Sequence, residues 1–499
     1  MAAHPEVAHA AKWKSMRSDQ FVTCGKFHFR VWQLDYSVPK MHAMDVKMGK
    51  LRRVLTTLSI APDDSFAAVG TDTGDVLKFT IEREGLLRPN DPDALTPMLV
   101  GVSNDRFSLG VNTLLWDVNP TTGNFNILVG AGDGTMGYVN SHMVVVTGMQ
   151  AHLSGGITSM SHNPDDSGFM VSTAEGNRYF VNRDLEPELR ATAHHTPVTS
   201  VYFPRGCAEL LVSSAYGNVR IWNIRLKREI LRVQVPNANC NQVIVTNSGS
   251  LLLSAWSDER IRAFLPESGR LKFTIHDAHP NGVRCIDMNA NDNSSAPWRL
   301  VSGGEDGSVR VWNMTSSSQA LVHTMKEHRG PINAIKVNND ATQFVSASSD
   351  GSCIVWDMER CVRILGIFEP TVFEDLVYHP DESQMLTCEL GCKISYWDAY
   401  DGSAIRIIDG GDAAMLCCDI DKGEGEFFVT GSEDSILKVW AYDEGITVGI
   451  GKGHSGRILN VKISPDHRHI VTVGEFGEIF TWKMPSFKAM RSVLDDEDV

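Results

Sequence analysis

Phe344-Val345-Ser346-Ala347-Ser348-Ser349-Asp350-Gly351-Ser352-Cys353-Ile354-Val355-Trp356-Asp357 is the stretch from which the rest of the chain can be read. Alternating apolar residues predict strands at Ile332–Val337, Gln343–Ser348 and Ser352–Asp357. Asp350-Gly351 between the last two is a tight-turn dipeptide. Upstream stands Glu327-His328, so that His328, Ser346, Asp350 and Trp356 follow one another at intervals of 18, 4 and 6 residues. In a small antiparallel sheet that spacing can bring four polar tips together. Asp350 can accept from His328, His328 can meet the Ser346 hydroxyl, and that hydroxyl can accept from the Trp356 indole N–H. Each buried donor then has a partner, as a buried polar group requires.

Such a set is the signature of a WD40 propeller blade. The aromatic at the Trp356 position recurs along the chain as Trp32, Phe79, Tyr138, Phe180, Trp222, Phe264, Trp312, Trp356, Trp397, Trp440 and Trp482. Most steps are 41 to 48 residues, the span of one four-stranded blade. Seven of the eleven tryptophans fall in this register, so chance placement explains it poorly. Pro62-Asp63, Pro164-Asp165, Pro380-Asp381 and Pro465-Asp466 each follow a short apolar strand. Proline presets φ for the second position of a turn and Asp suits the next.

The expected fold is all-β: tandem WD40 β-propellers. Residues 1–182 are expected to form a partial N-terminal propeller of about four blades, recognised by spacing and strand pattern because most lack the polar set. Residues 84–107, with Pro89, Pro92 and Pro97, read as a long surface loop. Residues 183–487 are expected to form a closed seven-bladed propeller, and 488–499 an acidic C-terminal tail. Eleven blades exceed the four to eight that one ring usually holds, which is why the chain divides. In the second propeller two sets are complete: His279, Ser302, Asp306 and Trp312; and His328, Ser346, Asp350 and Trp356. The others are partial: His195, Ser213 and Trp222; Ser254 and Asp258, with Phe264 as aromatic; Thr387 and Trp397, with Gly391 at the Asp position; Thr430, Asp434 and Trp440; and His454, Thr472 and Trp482, with Phe476 replacing the Asp. An insertion at 289–298 reads as a long hairpin tip.

Composition bounds the function. The chain has 499 residues, 42% hydrophobic and 21% charged, as in a globular protein. A net charge of −15 argues against sequence-independent nucleic-acid binding. No apolar run approaches the roughly 20 residues needed to span a membrane, and residues 1–13 lack the apolar core of a signal peptide. The ten cysteines show no paired framework. Cys388/Cys392 and Cys417/Cys418 fall in expected strands without a second ligand pair, so buried thiols are the better reading than zinc. That usage fits a reducing compartment.

No catalytic set emerges, and no cofactor or metal is expected. Gly303-Gly304-Glu305-Asp306-Gly307 and Gly130-Ala131-Gly132-Asp133-Gly134 look like phosphate loops, but each leads into a strand and neither has a following Lys-Ser/Thr pair. The His/Ser/Asp sets look like hydrolase triads, but their Ser lies mid-strand with its hydroxyl committed to Trp. Asp63-Asp64 and Asp165-Asp166 read as solvated hairpin tips.

Several stretches go beyond a generic blade. They are Asp105-Arg106-Phe107-Ser108-Leu109-Gly110-Val111, then Arg260-Ile261-Arg262-Ala263-Phe264-Leu265-Pro266-Glu267-Ser268-Gly269-Arg270-Leu271, Gly351-Ser352-Cys353-Ile354-Val355-Trp356-Asp357, Tyr378-His379-Pro380-Asp381-Glu382, Ile394-Ser395-Tyr396-Trp397-Asp398 and Gly453-His454-Ser455-Gly456. In this order they resemble the cilia- and flagella-associated protein 52 family of WD-repeat proteins. The resemblance covers nearly the whole chain. It implies two tandem seven-bladed propellers, and the start of this sequence resembles the middle of the family's first, so about three blades of that propeller are expected to be absent. It further implies a non-enzymatic microtubule inner protein on the luminal wall of the B-tubule of axonemal doublets, in the cytoskeleton of the cilium or flagellum. The implied partners are α/β-tubulin and other inner proteins, not nucleic acid or membrane. The family supplies no tubulin-contact residues for positions here. Because tubulin is also acidic, binding would rest on local basic loops such as 225–232, with Lys227 and Arg228. The rival readings are a cytosolic WD40 adaptor, such as a ubiquitin-ligase substrate receptor, and a propeller hydrolase.

Overall fold

The computed structural model describes residues 7–16, 18–37, 40–46, 53–81, 98–118, 125–165, 167–288, 298–315 and 318–485. Every regular element among them is a β-strand. The sheet that holds the opening stretch shows the plan. Ile332–Val337, Gln343–Ser348, Ser352–Asp357 and Arg363–Phe368 pair antiparallel in chain order. The three strands expected here form with the expected bounds, because Phe344, Val345, Ile354 and Val355 alternate between two buried faces of the same sheet.

The chain divides into two compact units, Met1–Ala193 and His194–Val499. In the first, four four-stranded sheets follow one another. Apolar clusters fill the spaces between successive sheets: Val22, Phe29, Leu58 and Phe79 in one, Val76, Val111, Ile127 and Val129 in the next, Leu128, Tyr138, Phe169 and Val171 in the third. The boundary expected after residue 182 falls one strand early. Pro187–Thr192 pairs with Asn177–Asn182 and completes the fourth sheet. The expected loop at 84–107 also contains a strand, Leu99–Val102, which completes the second sheet; residues 84–97 lie outside the described residues. Asp64 is not a solvated tip. It is buried and accepts hydrogen bonds from the backbone N–H groups of Ser15 and Met16 at 2.9 and 2.7 Å.

In the second unit the sheet beginning at Val198–Tyr202 has six strands. Leu210–Asn223 and Arg228–Val245 are each long enough to serve two successive positions, so this sheet is two blades joined. Four four-stranded sheets and a three-stranded one, ending at Ile479–Lys483, follow. The first and last sheets meet: Val198, Val201, Leu211 and Trp222 pack with Val471 and Val473. There Gly477 has φ +85° and comes so near the His194 carbonyl that a Cβ would lie 2.3 Å from the oxygen, so only glycine fits. The expected insertion at 289–298 and tail at 488–499 lie outside the described residues, except that Trp298 opens the strand Trp298–Gly304.

Candidate functional site

The repeated polar set is built as a chain of hydrogen bonds with one permitted direction. In the sheet at 332–368 the Trp356 indole N–H donates to Ser346 Oγ at 2.8 Å, and Ser346 Oγ lies 2.7 Å from His328 Nε2. His328 Nδ1 lies 2.6 Å from Ser352 Oγ, which is itself bonded to Asp350. Trp can only donate and a carboxylate can only accept. The protons therefore run from Trp356 to Ser346, to His328, to Ser352, to Asp350. His328 and Asp350 are 3.6 Å apart, so Ser352 stands between them. Sequence reasoning missed Ser352 and its counterpart Ser308, although each is the second residue after its Asp in an Asp-Gly-Ser turn. His279 Nδ1 is 3.1 Å from Asp306 and 3.0 Å from Ser308, its Nε2 is 2.8 Å from Ser302, and Trp312 donates to Ser302 at 2.8 Å.

Burial holds the His279 and His328 imidazoles below their ordinary pKa. Burial works to raise Asp306, but hydrogen bonds from His279 and Ser308 and the nearby imidazole lower it to about 2. Asp350 is likewise lowered by Ser352 and the Arg329 N–H against the burial cost.

The partial sets are rearranged in three places. His195 is exposed, and its neighbour His194 is the buried member, with Nε2 2.7 Å from Ser213 Oγ; Trp222 donates to the same oxygen at 2.7 Å. One residue decides which of two adjacent histidines points inward, because side chains alternate along an extended chain. In the next blade Ser254 accepts from Trp256 on its own strand at 2.7 Å, not from the ring position of Phe264, and Asp258 is paired with the buried Arg262. Thr387 accepts from Trp397, and Thr430 from Trp440, each at 2.9 Å. Asp434 is bonded to Ser432 and caps the N–H of Ile436. In the last sheet His454 Nε2 is 2.6 Å from Thr472 Oγ1, Trp482 donates to Thr472 at 2.7 Å, and the missing acid is Glu478, 3.2 Å from His454 Nδ1. Glu478 occupies the serine position of the set, two residues after Phe476. Its longer side chain spans the distance that Asp and Ser share elsewhere.

A second group of residues links neighbouring blades, and no motif announces it. The innermost strand of nearly every sheet has a bulge after its first residue, for example between Ile332 and Ala334. The skipped residue turns sideways. Asn241 Nδ2 donates to the Val283 carbonyl and Asn333 Nδ2 to the Phe373 carbonyl, each at 2.7 Å, and Thr199 donates to the Cys240 carbonyl. Asn112 does the same to Ile157 in the first unit, at 3.1 Å. Nearer the axis, Asp287 accepts from the Val337 N–H at 2.8 Å, Asp375 from Cys418 at 3.1 Å and Asp419 from Ile463 at 2.8 Å.

The other candidates resolve as follows. The glycine-rich turn at Gly303 leads into the strand Val309–Met314, and the one at Gly130 into Thr135–Val139. Ser346 is fully buried. Cys388, Cys417 and Cys418 are buried, but Cys392 is a turn residue at φ +62°, not a strand residue. Among the described residues there is no group of three or more His, Cys, Asp or Glu side chains suited to a metal ion. The basic stretch at 225–232 is a turn followed by a strand, with Arg225 beside Glu209 and Arg232 on Glu229.

The sheet order, the ring of sheets and the Trp-Ser/Thr-His-acid chains define a WD-repeat β-propeller protein. The WD domain, G-beta repeat, matches residues 187–223, 269–313 and 319–357. The chain is 38% identical over 471 residues to Cilia- and flagella-associated protein 52 of Bos taurus, covering 94% of this chain and 72% of that one. It is 39% identical over 478 residues to the Chlamydomonas reinhardtii protein of the same name, covering 95% and 74%. WD repeat-containing protein 1 of Gallus gallus is 25% identical over 255 residues, half of this chain. The chain belongs to the cilia- and flagella-associated protein 52 family.

Proposed function

We propose that this protein is a non-enzymatic structural component of cilia or flagella, bound to the luminal wall of axonemal doublet microtubules, where it stabilises the B-tubule. The observation behind this reading is the family membership, which extends over 94% of the chain and includes a relative from a flagellate alga. The physical argument concerns rigidity. A lattice brace needs a stiff body with broad faces more than it needs a pocket. Within each unit successive sheets are joined by apolar layers, and at several bulges also by a side-chain bond to the next sheet. Repetition along a filament lets individually weak contacts add. Tubulin and neighbouring inner proteins are the proposed partners. Since the chain is acidic overall, contacts with acidic tubulin would use exposed cations such as Lys227.

The test is location. A tagged copy expressed in a flagellated cell is expected to remain with detergent-extracted, salt-washed doublets and to be released only when the doublet wall is broken. Diffuse cytosolic protein that washes away completely would instead favour a soluble adaptor.

A further inference from the structure

We propose that the last sheet of the second unit is a docking edge for the chain's own C-terminal segment, with residues 489–493 adding as a fourth, antiparallel strand beside Ile479–Lys483. Among the described residues this sheet has three strands, whereas each of the four sheets before it has four. Its third strand is more exposed than its counterparts. Phe480 and Thr481 are exposed, while Ile354, Val355, Ser395 and Tyr396, at the same positions of the sheets at 332–368 and 373–409, are buried. Trp482 is half-buried, against exposures of 1%, 3% and 4% for Trp356, Trp397 and Trp440. An open edge presents a row of backbone donors and acceptors, which an extended segment satisfies by strand addition. The strand that leads into the unit, Pro187–Thr192, cannot serve, because it is paired with Asn177–Asn182.

The chain leaves Ile479–Lys483 on the path that elsewhere leads to a fourth strand. Two residues after the tryptophan, the N–H of Ile224, Met358, Ala399 or Tyr442 donates to the carbonyl of Glu209, Thr342, Ser383 or Glu426, at 2.8–2.9 Å. Met484 donates to Arg468 in the same way, at 2.8 Å. The turn then lies against the ninth residue after the tryptophan of the preceding sheet: Gly402 against Leu365, Gly445 against Arg406, and Pro485 against Gly449. From there the register is constant. The seventh residue after the tryptophan pairs with it, as Glu229, Arg363, Ala404 and Thr447 do, and the eighth is skipped in a bulge. The skipped residue is apolar each time: Ile230, Ile364, Ile405 and Val448. The eleventh is buried in three of the four, as Val233, Ile367 and Ile408. The same count from Trp482 puts Ala489 opposite it, Met490 at the bulge, Arg491 where Leu231, Leu365 and Arg406 stand, and Val493 at the buried position. Beyond Val493 the course is taken. The His194 carbonyl stands over Gly477 as the Glu369 carbonyl stands over Gly351, so the acidic residues 495–498 must turn away from the sheet.

The experiment is hydrogen exchange of the full chain, read by mass spectrometry. Amides of residues 489–493 should exchange at least about tenfold more slowly than those of residues 496–499. Val493→Asp, which places a carboxylate at the buried position, should bring residues 489–493 to the rate of 496–499. Met490→Ser, at the outward bulge, should leave them protected. Far-ultraviolet circular dichroism checks that each variant is folded. A second measurement does not depend on the Asp variant. Phe480→Cys and Ser492→Cys stand opposite each other in this register and should form a disulfide on mild oxidation. In a mixture of isotopically light and heavy protein, the linked peptides should be all light or all heavy. Unprotected amides at 489–493 in the native chain overturn the inference. So do linked peptides of mixed label, which would put a second copy's segment on the edge.

Discussion

Trp356 and Ser346 stand ten residues apart in sequence and directly joined in space, the indole N–H donating to the serine oxygen at 2.8 Å with both side chains buried. Removing the ring leaves a cavity and an underused hydroxyl, so Trp356→Ala is expected to cost about 3–5 kcal/mol. Phe180 occupies the same register in the first unit but is half-buried, with Arg190 over its ring and no indole donor. Phe180→Ala should cost clearly less. Urea unfolding of both variants compares them, and equal losses would show that the polar chain adds nothing.

The last sheet offers a swap. Glu478 stands at the serine position and reaches His454 from there, while the usual acid position is the exposed Phe476. Glu478→Ser alone should destabilise by about 1–3 kcal/mol, because His454 Nδ1 exchanges a carboxylate partner for a hydroxyl whose own proton then has no carboxylate to go to. Adding Phe476→Asp rebuilds the Asp-Gly-Ser turn of the sheet at 332–368 and should recover at least half of that loss. A double variant no better than the single one would refute the assignment.

Acid should weaken the second unit in two stages. His279, His328 and His454 are held neutral by burial, with pKa below the ordinary value. The unfolded chain therefore binds more protons than the folded one as pH falls through about 6.5, and stability drops from there downward. Asp306, lowered to about 2, and Asp350 add a second loss that begins near pH 4 and continues toward their folded pKa values. Denaturant midpoints measured from pH 8 to pH 3 should fall in that order. His328→Gln should flatten the first stage, and a midpoint that rose on acidification to pH 5.5 would contradict the assignment.

A fragment beginning at His194 is expected to unfold cooperatively on its own, since the sheets at its two ends pack on each other through Val198, Val201, Val471 and Val473. Starting it at residue 183 would add the strand Pro187–Thr192, whose partner Asn177–Asn182 would be absent. Differential scanning calorimetry should give one transition for the 194 fragment. A broad, non-cooperative melt would mean that the seam between first and last sheets does not close the unit by itself.

Much of this architecture was legible because it rests on periodic signals. The strand bounds at 332–357 follow from alternation and Asp-Gly, and the complete sets follow from residue type and spacing. What escaped was decided by single-residue geometry. His194 and His195 are chemically identical, and only the phase of the chain selects the inward one. Glu478 was hidden because a longer side chain can do its work from two positions away. The bulges that turn Asn241 and Asn333 toward the next sheet leave no mark in hydropathy, because they are set by strand register. Arg53 and Arg106, which together hold the buried Asp75 at 2.9 and 2.8 Å, replace the histidine chemistry in a blade where no set was expected.

The inter-sheet links can be measured directly at Asp419. One oxygen binds the Ile463 N–H and the other the Lys462 ammonium at 3.0 Å, and both side chains are largely out of solvent. Asp419→Ala strands a cation that burial alone would disfavour, so about 3–5 kcal/mol should be lost. Replacing both partners, Asp419→Ala with Lys462→Met, removes the stranded charge and leaves only the Ile463 N–H unpaired, at about 1–3 kcal/mol. The double variant should therefore be more stable than the single one, although it carries one more substitution. A thermodynamic cycle through Lys462→Met isolates the coupling, since two groups in contact are not additive. If the double variant were as unstable as Asp419→Ala plus Lys462→Met taken separately, the pair would contribute no coupling. The backbone bond to Ile463 would then be what joins the last sheet to its neighbour.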